Sequence, residues 1–271
     1  MRMAIAQSTW TKPQILDGLE NYTRAAYSLR QLYKRYTGRV IELTNGTTTL
    51  DIGLKKGVLD SSAVLSLGNL SWVTKFYDHG PLGNHTIARG GAAARNYLVI
   101  GGQILTSNGR PSILTAQNGV DGFVLPLGVV NGVSDASCAT TYRQVDGNGA
   151  AAVIICNIGE DLCASPYSDG QAYEAFMGVM RTPPGGFAYG FDKIMHQQWK
   201  ENDVLGFRLY KNTTLKGAIT QTTVVNPSIR LLGSNIYGRL EIAEFIMFDR
   251  VLPINKRLEI SANTKTFYNL I

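Results

Sequence analysis

Between Arg24 and Tyr36, apolar residues recur at Ala26, Leu29, Leu32, Tyr33 and Tyr36. This i, i+3, i+4, i+7 spacing predicts an amphipathic helix, with Thr23 as its N-cap and Gly38 as a left-handed end. After Gly38 the period shortens. Val40–Leu43 and Thr48–Ile52 read as strands around an Asn45-Gly46 turn. Further strands are predicted at Val73–Tyr77, Val120–Leu127, Ala151–Ile158, Phe187–Phe191, Val204–Tyr210, Thr222–Val225 and Leu240–Phe248. Asn131-Gly132, Asp146-Gly147 and the Pro183–Gly186 run punctuate them. A closing helix starts at Pro253 and carries Ile254, Leu258 and Ala262 on one face. Short strands at this spacing predict an all-β sandwich with a short helix near each end.

Composition supports that expectation. Of 271 residues, 29 are glycine and only 17% are charged, while 44% are hydrophobic, which excludes intrinsic disorder. No apolar run approaches the ~20 residues of a membrane helix, and the first ten residues lack a secretory-signal pattern. Cys138, Cys156 and Cys163 include no CxxC pair and read as free thiols. The net charge of +6 includes a cluster at Arg24, Arg30, Lys34, Arg35 and Arg39, read as a solvated face rather than a nucleic-acid footprint. Residues 1–14 form a polar arm that suits docking to a partner, and 15–271 a single sandwich domain.

Candidate chemistry is sparse. There is no phosphate-binding glycine motif, no nucleophile elbow and no spaced Cys/His set. Glu241 and Glu244, three apart on a predicted strand, are expected on opposite faces as a sheet-edge pair buffered by Arg239 and Arg250. His79 and His85 belong to a turn-rich loop with Asp78 and Asn84, whose oxygens are the candidates for a calcium ion. No other cofactor is expected. For carbohydrate, Tyr142, Tyr167, Tyr173, Tyr189 and Trp199 are the candidate stacking platforms.

Three segments carry a resemblance. Leu16–Gly38, with its Ala25–Arg30 run, resembles the opening of arabinofuranosidase B catalytic modules and of many phage tail and virion proteins. Val73–His85 is similar to that group's strand-and-loop motif, usually Tyr-Asp-Gln-Ser-Gly-Asn-Gly, but departs from it at His79 and Pro81. Gly238–Arg250 resembles the last strand of concanavalin A-like and laminin G-like sandwiches. The resemblance implies a concanavalin A-like (jelly-roll) β-sandwich of two curved sheets. It also places the arabinofuranosidase acid at Ser234, which cannot donate a proton as a carboxylic acid would. Glu160 and Glu174 are the only glutamates between Glu42 and Glu201, and neither aligns with the nucleophile.

On these grounds the expectation is a non-enzymatic phage virion protein, a capsid decoration or tail-associated subunit assembled in the host cytoplasm. It would dock on other virion proteins through its arm, form a homo-oligomer and bind host-surface glycans, without nucleic-acid or membrane partners. The alternatives are a glycoside hydrolase of arabinofuranosidase type and a free-standing lectin.

Overall fold

A computed structural model describes residues 14–90, 95–115, 122–129, 135–145, 155–157, 164–166, 172–174, 180–181, 193–200, 207–219, 230–232 and 239–270. The main sheet is antiparallel throughout. Its principal strands are β1 (Thr23–Ser28), β2 (Arg39–Thr44), β3 (Thr49–Lys55), β4 (Leu70–Phe76), β5 (Asn96–Ile100), β6 (Ile113–Thr115), β7 (Asp135–Gln144), β8 (Lys193–Lys200), β9 (Phe207–Lys211), β10 (Thr214–Ile219) and β11 (Leu240–Phe248). Their order is β10-β9-β8-β7-β11-β6-β5-β4-β2-β3, and β1 shares with β6 the side of β11 away from β7. A second sheet is built from short strands, among them Ile87–Ala88, Phe123–Leu125, Arg230–Leu232, Ile155–Asn157, Ala164–Pro166 and Ala172–Glu174. Phe123, Leu125 and Leu232 of this sheet share one apolar core with Val40, Phe76, Leu98 and Ile242 of the main sheet. The molecule is a β-sandwich.

The two α-helices among the described residues are α1 (Ser61–Leu65), whose start is capped by the Asp60 carboxylate, and α2 (Ile254–Tyr268). The helix expected over 24–36 is instead β1 followed by a turn-rich segment. Ala25, Tyr27 and Leu29 face the inter-sheet core, whereas Ala26, Leu32 and Tyr33 join a second apolar layer outside the main sheet. A strand buried on both faces loses its period-2 signature, and here the remainder imitates a helical stripe. The Thr23 hydroxyl donates to the Leu19 carbonyl of the preceding turn, so it caps no helix of its own. Gly38 lies outside the left-handed region; a Cβ there would sit 2.9 Å from the Tyr36 ring, and close approach explains the glycine.

The Asn45-Gly46 turn joins β2 to β3 as the sequence indicates. The Asn45 side-chain oxygen accepts from the Thr47 and Thr48 amides, and Gly46 has φ +94° with the Trp72 ring 3.1 Å from its would-be Cβ. Gly46→Ala is therefore expected to cost about 1–2 kcal/mol, read as a lower urea midpoint.

β11 lies at the centre of the sheet, and all nine of its residues are buried. Leu240, Ile242, Phe245 and Met247 face the inter-sheet core; Ala243, Ile246 and Phe248 face the outer layer under α2 and residues 15–33. The alternation slips by one at Ala243, where the pairing with β7 changes register. This bulge corrects the expectation for Glu241 and Glu244, because three positions plus one bulge return both carboxylates to the same outer side. They are not an edge pair. Glu244 accepts from Arg30 Nε at 2.7 Å and Nη2 at 3.1 Å, whereas Glu241 meets Ser112 Oγ at 3.3 Å and Arg143 Nη1 at 3.7 Å. Arg30 thus leaves the expected solvated basic face. α2 likewise turns Arg257, Ile260, Ser261, Thr264 and Phe267 inward, leaving Ile254, Leu258 and Ala262 on its exposed side.

Candidate functional site

The loop after β4 is built around one carboxylate. Asp78 Oδ1 accepts from the amides of Ala26 and Gly80, both at 2.7 Å, and Oδ2 from the amide of Asn84 at 2.9 Å. Burial raises the Asp78 pKa, and these three N–H bonds, with the nearby His85, pull it back down. The Asn84 side chain donates to the Arg24 carbonyl, Tyr27 Oη donates to the Asn84 carbonyl, and the His79 amide donates to the Ala26 carbonyl. His85 Nδ1 accepts from the Asp78 amide, and its ring meets Tyr77 edge-on at 4.9 Å. The candidate cation ligands therefore serve the loop: both oxygens of Asp78 face amide hydrogens. Among the described residues, no group of three or more His, Cys, Asp or Glu side chains is placed to hold a metal ion.

This docking pins His79 against an open cleft of about 710 Å³. It is lined by Asp17, Gly18, Glu20, residues 33–36, His79 and Pro81. The imidazole stacks on Tyr36, with ring centroids 4.1 Å apart and planes 16° from parallel. His79 is buried, and its ring nitrogens are sealed from the solvent of the cleft. Burial first, and then the charge of Arg30, lower its pKa to about 3, with the Ser28 backbone opposing them. The ring is neutral across the physiological range. Tyr33 Oη is also buried, and burial raises its pKa against a hydrogen bond with the Thr23 side chain. Burial also pushes the Tyr36 hydroxyl up to about 12. At the rim stand Asp17, Glu20, Lys34 and Arg35, two charges of each sign, with Asp17 Oδ1 accepting from the Lys34 amide at 2.8 Å.

Tyr142 lies on β7 with its ring in the core, 2% exposed, and burial raises its pKa. Tyr173 and Trp199 stand on strands of the second and the main sheet respectively, where the backbone alone is described. Tyr167, Tyr189, Ser234, Glu160 and Cys163 lie outside the described residues, as do 1–13 of the arm. Tyr142, the one of the five aromatic candidates whose side chain is described, is not among the residues lining the cleft. Sequence reasoning missed Asp17, Glu20 and Tyr33. The one available signal was the departure from the loop motif at His79 and Pro81, two of the residues that line the cleft.

No family model matches the sequence, and no curated protein matches it. Solved structures do match in fold. An arabinofuranosidase complexed with arabinofuranosyl-α-1,2-xylobiose superposes with TM-score 0.64 and 16% identity, over 92% of this chain and 63% of its own. A GH54 α-L-arabinofuranosidase soaked with a cyclic sulfate inhibitor gives TM-score 0.63 at 16% identity, with the same coverage. The Trypanosoma rangeli sialidase in complex with 2,3-difluoro-KDN gives TM-score 0.53 at 9% identity, over 71% of this chain and 31% of its own. The chain thus spans 63% of the length of the arabinofuranosidases it matches. These matches correct the expectation of a non-enzymatic virion subunit: the two arabinofuranosidases that superpose on 92% of the chain are glycoside hydrolases, which sets the hydrolase alternative ahead of it.

Proposed function

We propose that the chain is a glycoside hydrolase of α-L-arabinofuranosidase type. The observation that carries this reading is the superposition of 92% of the chain on an arabinofuranosidase at TM-score 0.64. Retaining and inverting hydrolysis both rest on a pair of carboxyl groups flanking the scissile bond. Several carboxylates of the main sheet are engaged in structure: Asp78 by amides, Glu244 by Arg30, Glu42 by Lys75 and Thr74, and Asp51 by Tyr77.

Ser234, where the resemblance places the acid, supplies no proton to the leaving oxygen. The departing group must then carry its own negative charge. The test is turnover of arabinofuranosides across a leaving-group series. 4-Nitrophenyl α-L-arabinofuranoside is expected to be cleaved, and an alkyl arabinofuranoside to react about 10²–10⁴-fold more slowly, a gap that Ser234→Asp narrows. No turnover of even the activated aryl glycoside would sink the reading.

A further inference from the structure

We propose that the free edge of β3 is a self-association surface, along which a second copy of this chain pairs antiparallel and extends the main sheet across a two-fold axis. β3 ends the sheet, and the short strand Val58–Leu59 covers only its last part. There Lys55 pairs with Val58, Leu54 with Leu59, and the Gly53 carbonyl accepts from the Asp60 amide. Main-chain groups alternate sides along a strand, so those of Thr49 and Asp51 point outward with those of Gly53, while Leu50 and Ile52 turn theirs to β2. Thr49, Leu50 and Asp51 are exposed, and among the described residues no main-chain hydrogen bond crosses this edge between Thr49 and Ile52.

Two features point to a second copy as the occupant. Edge strands are ordinarily blunted by lysine, proline or a bulge, and the opposite edge of the sheet is: β10 carries Lys216 on a bulge against β9. Between Thr49 and Ile52 there is no lysine or proline, and the one charge, Asp51, is held by Arg39 Nη1 and Tyr77 Oη, each at 2.5 Å. The edge is also self-complementary. With the axis through Leu50, Thr49 of each copy exchanges both main-chain bonds with Asp51 of the other, and a hydroxyl rather than a second anion stands beside each carboxylate. The two Leu50 side chains, each 37% exposed, then meet on the face where Leu43 and Ile52 are buried. Moving the axis to Asp51 would set like charges directly opposite. So short an edge makes a small interface, and the dimer is a weak one, with Kd on the order of 10–100 µM.

The experiment is sedimentation equilibrium from about 1 µM to about 1 mM protein, with amide hydrogen exchange measured at both ends of that range. The mass is expected to rise from 29.5 kDa towards twice that value. The amides of Thr49 and Asp51 should slow about fivefold with concentration, while those of Leu50 and Ile52, already bonded to β2, stay unchanged. Thr49→Pro removes an outward N–H without touching the ladder to β2, and Leu50→Lys sets two cations at the axis. Each should raise Kd about tenfold or more, whereas Leu215→Lys, at an exposed position of β10, should leave it unchanged. A mass that stays at 29.5 kDa at the highest concentration overturns the proposal. So does a mass that climbs past the dimer, a dimer whose Thr49 and Asp51 amides exchange as before, or one that Leu215→Lys dissociates and Leu50→Lys does not. Should Thr49→Pro fail to fold, Leu50→Lys and the exchange pattern decide.

Discussion

Glu244→Gln is expected to destabilise the protein by about 3–5 kcal/mol, the range for a buried ion pair deprived of one partner. The carboxylate accepts four hydrogen bonds: two from Arg30, one from Ser28 Oγ at 3.0 Å and one from Thr264 Oγ1 at 3.2 Å. Arg30 also donates to Asn263 Oδ1 and lies over the Phe267 ring at 4.7 Å. One cluster thereby ties β1, β11 and α2 together. Burial disfavours the charged guanidinium, but the charge and hydrogen bonds of Glu244 more than offset this and raise the Arg30 pKa. Gln at 244 keeps the shape and removes the compensating charge, stranding Arg30 at 3% exposure. Arg30→Met alone should be similarly damaging, because it strands the carboxylate instead. The double variant Arg30→Met/Glu244→Leu should recover most of the loss, since well-packed apolar pairs often match a buried ion pair. Urea midpoints of the four proteins, with Glu244→Leu alone as a fifth, close the cycle. If Glu244→Gln shifts the midpoint no more than an exposed control such as Lys256→Gln, the cluster is not the brace described.

That brace was invisible in the sequence for a definite reason. Arg30 and Glu244 are 214 positions apart, and each has neighbours that make a solvated charge the ordinary reading. The local signals that survived depend on a few consecutive residues: the Asn45-Gly46 hairpin, the long apolar run of β11, and Pro253 at the start of α2. Where two apolar layers contact one strand, periodicity misled. β1 took on a helical stripe because both its faces are buried, and Glu241 and Glu244 were placed on opposite sides because a single-residue bulge leaves no mark in the hydrophobic pattern. On α2 the inward face mixes Arg257, Ser261 and Thr264 with Ile260 and Phe267, so apolar spacing alone does not pick it out from the exposed Ile254, Leu258 and Ala262. The cleft was legible only in part. Asp78 and Asn84 were recognised as a loop constellation, but their partners on β1 and the lining at 17–20 come from elsewhere in the chain.

Acidification should weaken the fold through His79, and this is the second large effect. In the unfolded chain the imidazole takes a proton near its ordinary value of 6.5, whereas burial and the Arg30 charge hold it to about 3 in the fold. Above pH 6.5 the ring is neutral in both states and makes no difference. Between pH 6.5 and about 3 the unfolded chain binds one more proton than the folded one, so stability falls as pH falls. The slope approaches about 1.4 kcal/mol per pH unit, a loss of roughly 4 kcal/mol near pH 3.5. Asp78, which contacts the same loop, acts in the opposite sense. Burial raises its pKa, so the folded carboxyl takes its proton earlier than the unfolded one and partly flattens the slope. His79→Phe removes the histidine contribution and leaves that of Asp78. Urea midpoints of wild type and variant, measured from pH 7 to pH 4, should therefore diverge towards acid, with the wild type falling faster. Parallel curves would mean that the ring acquires its proton in the fold, and hence that the lining of the cleft is wetter or better partnered than its geometry indicates.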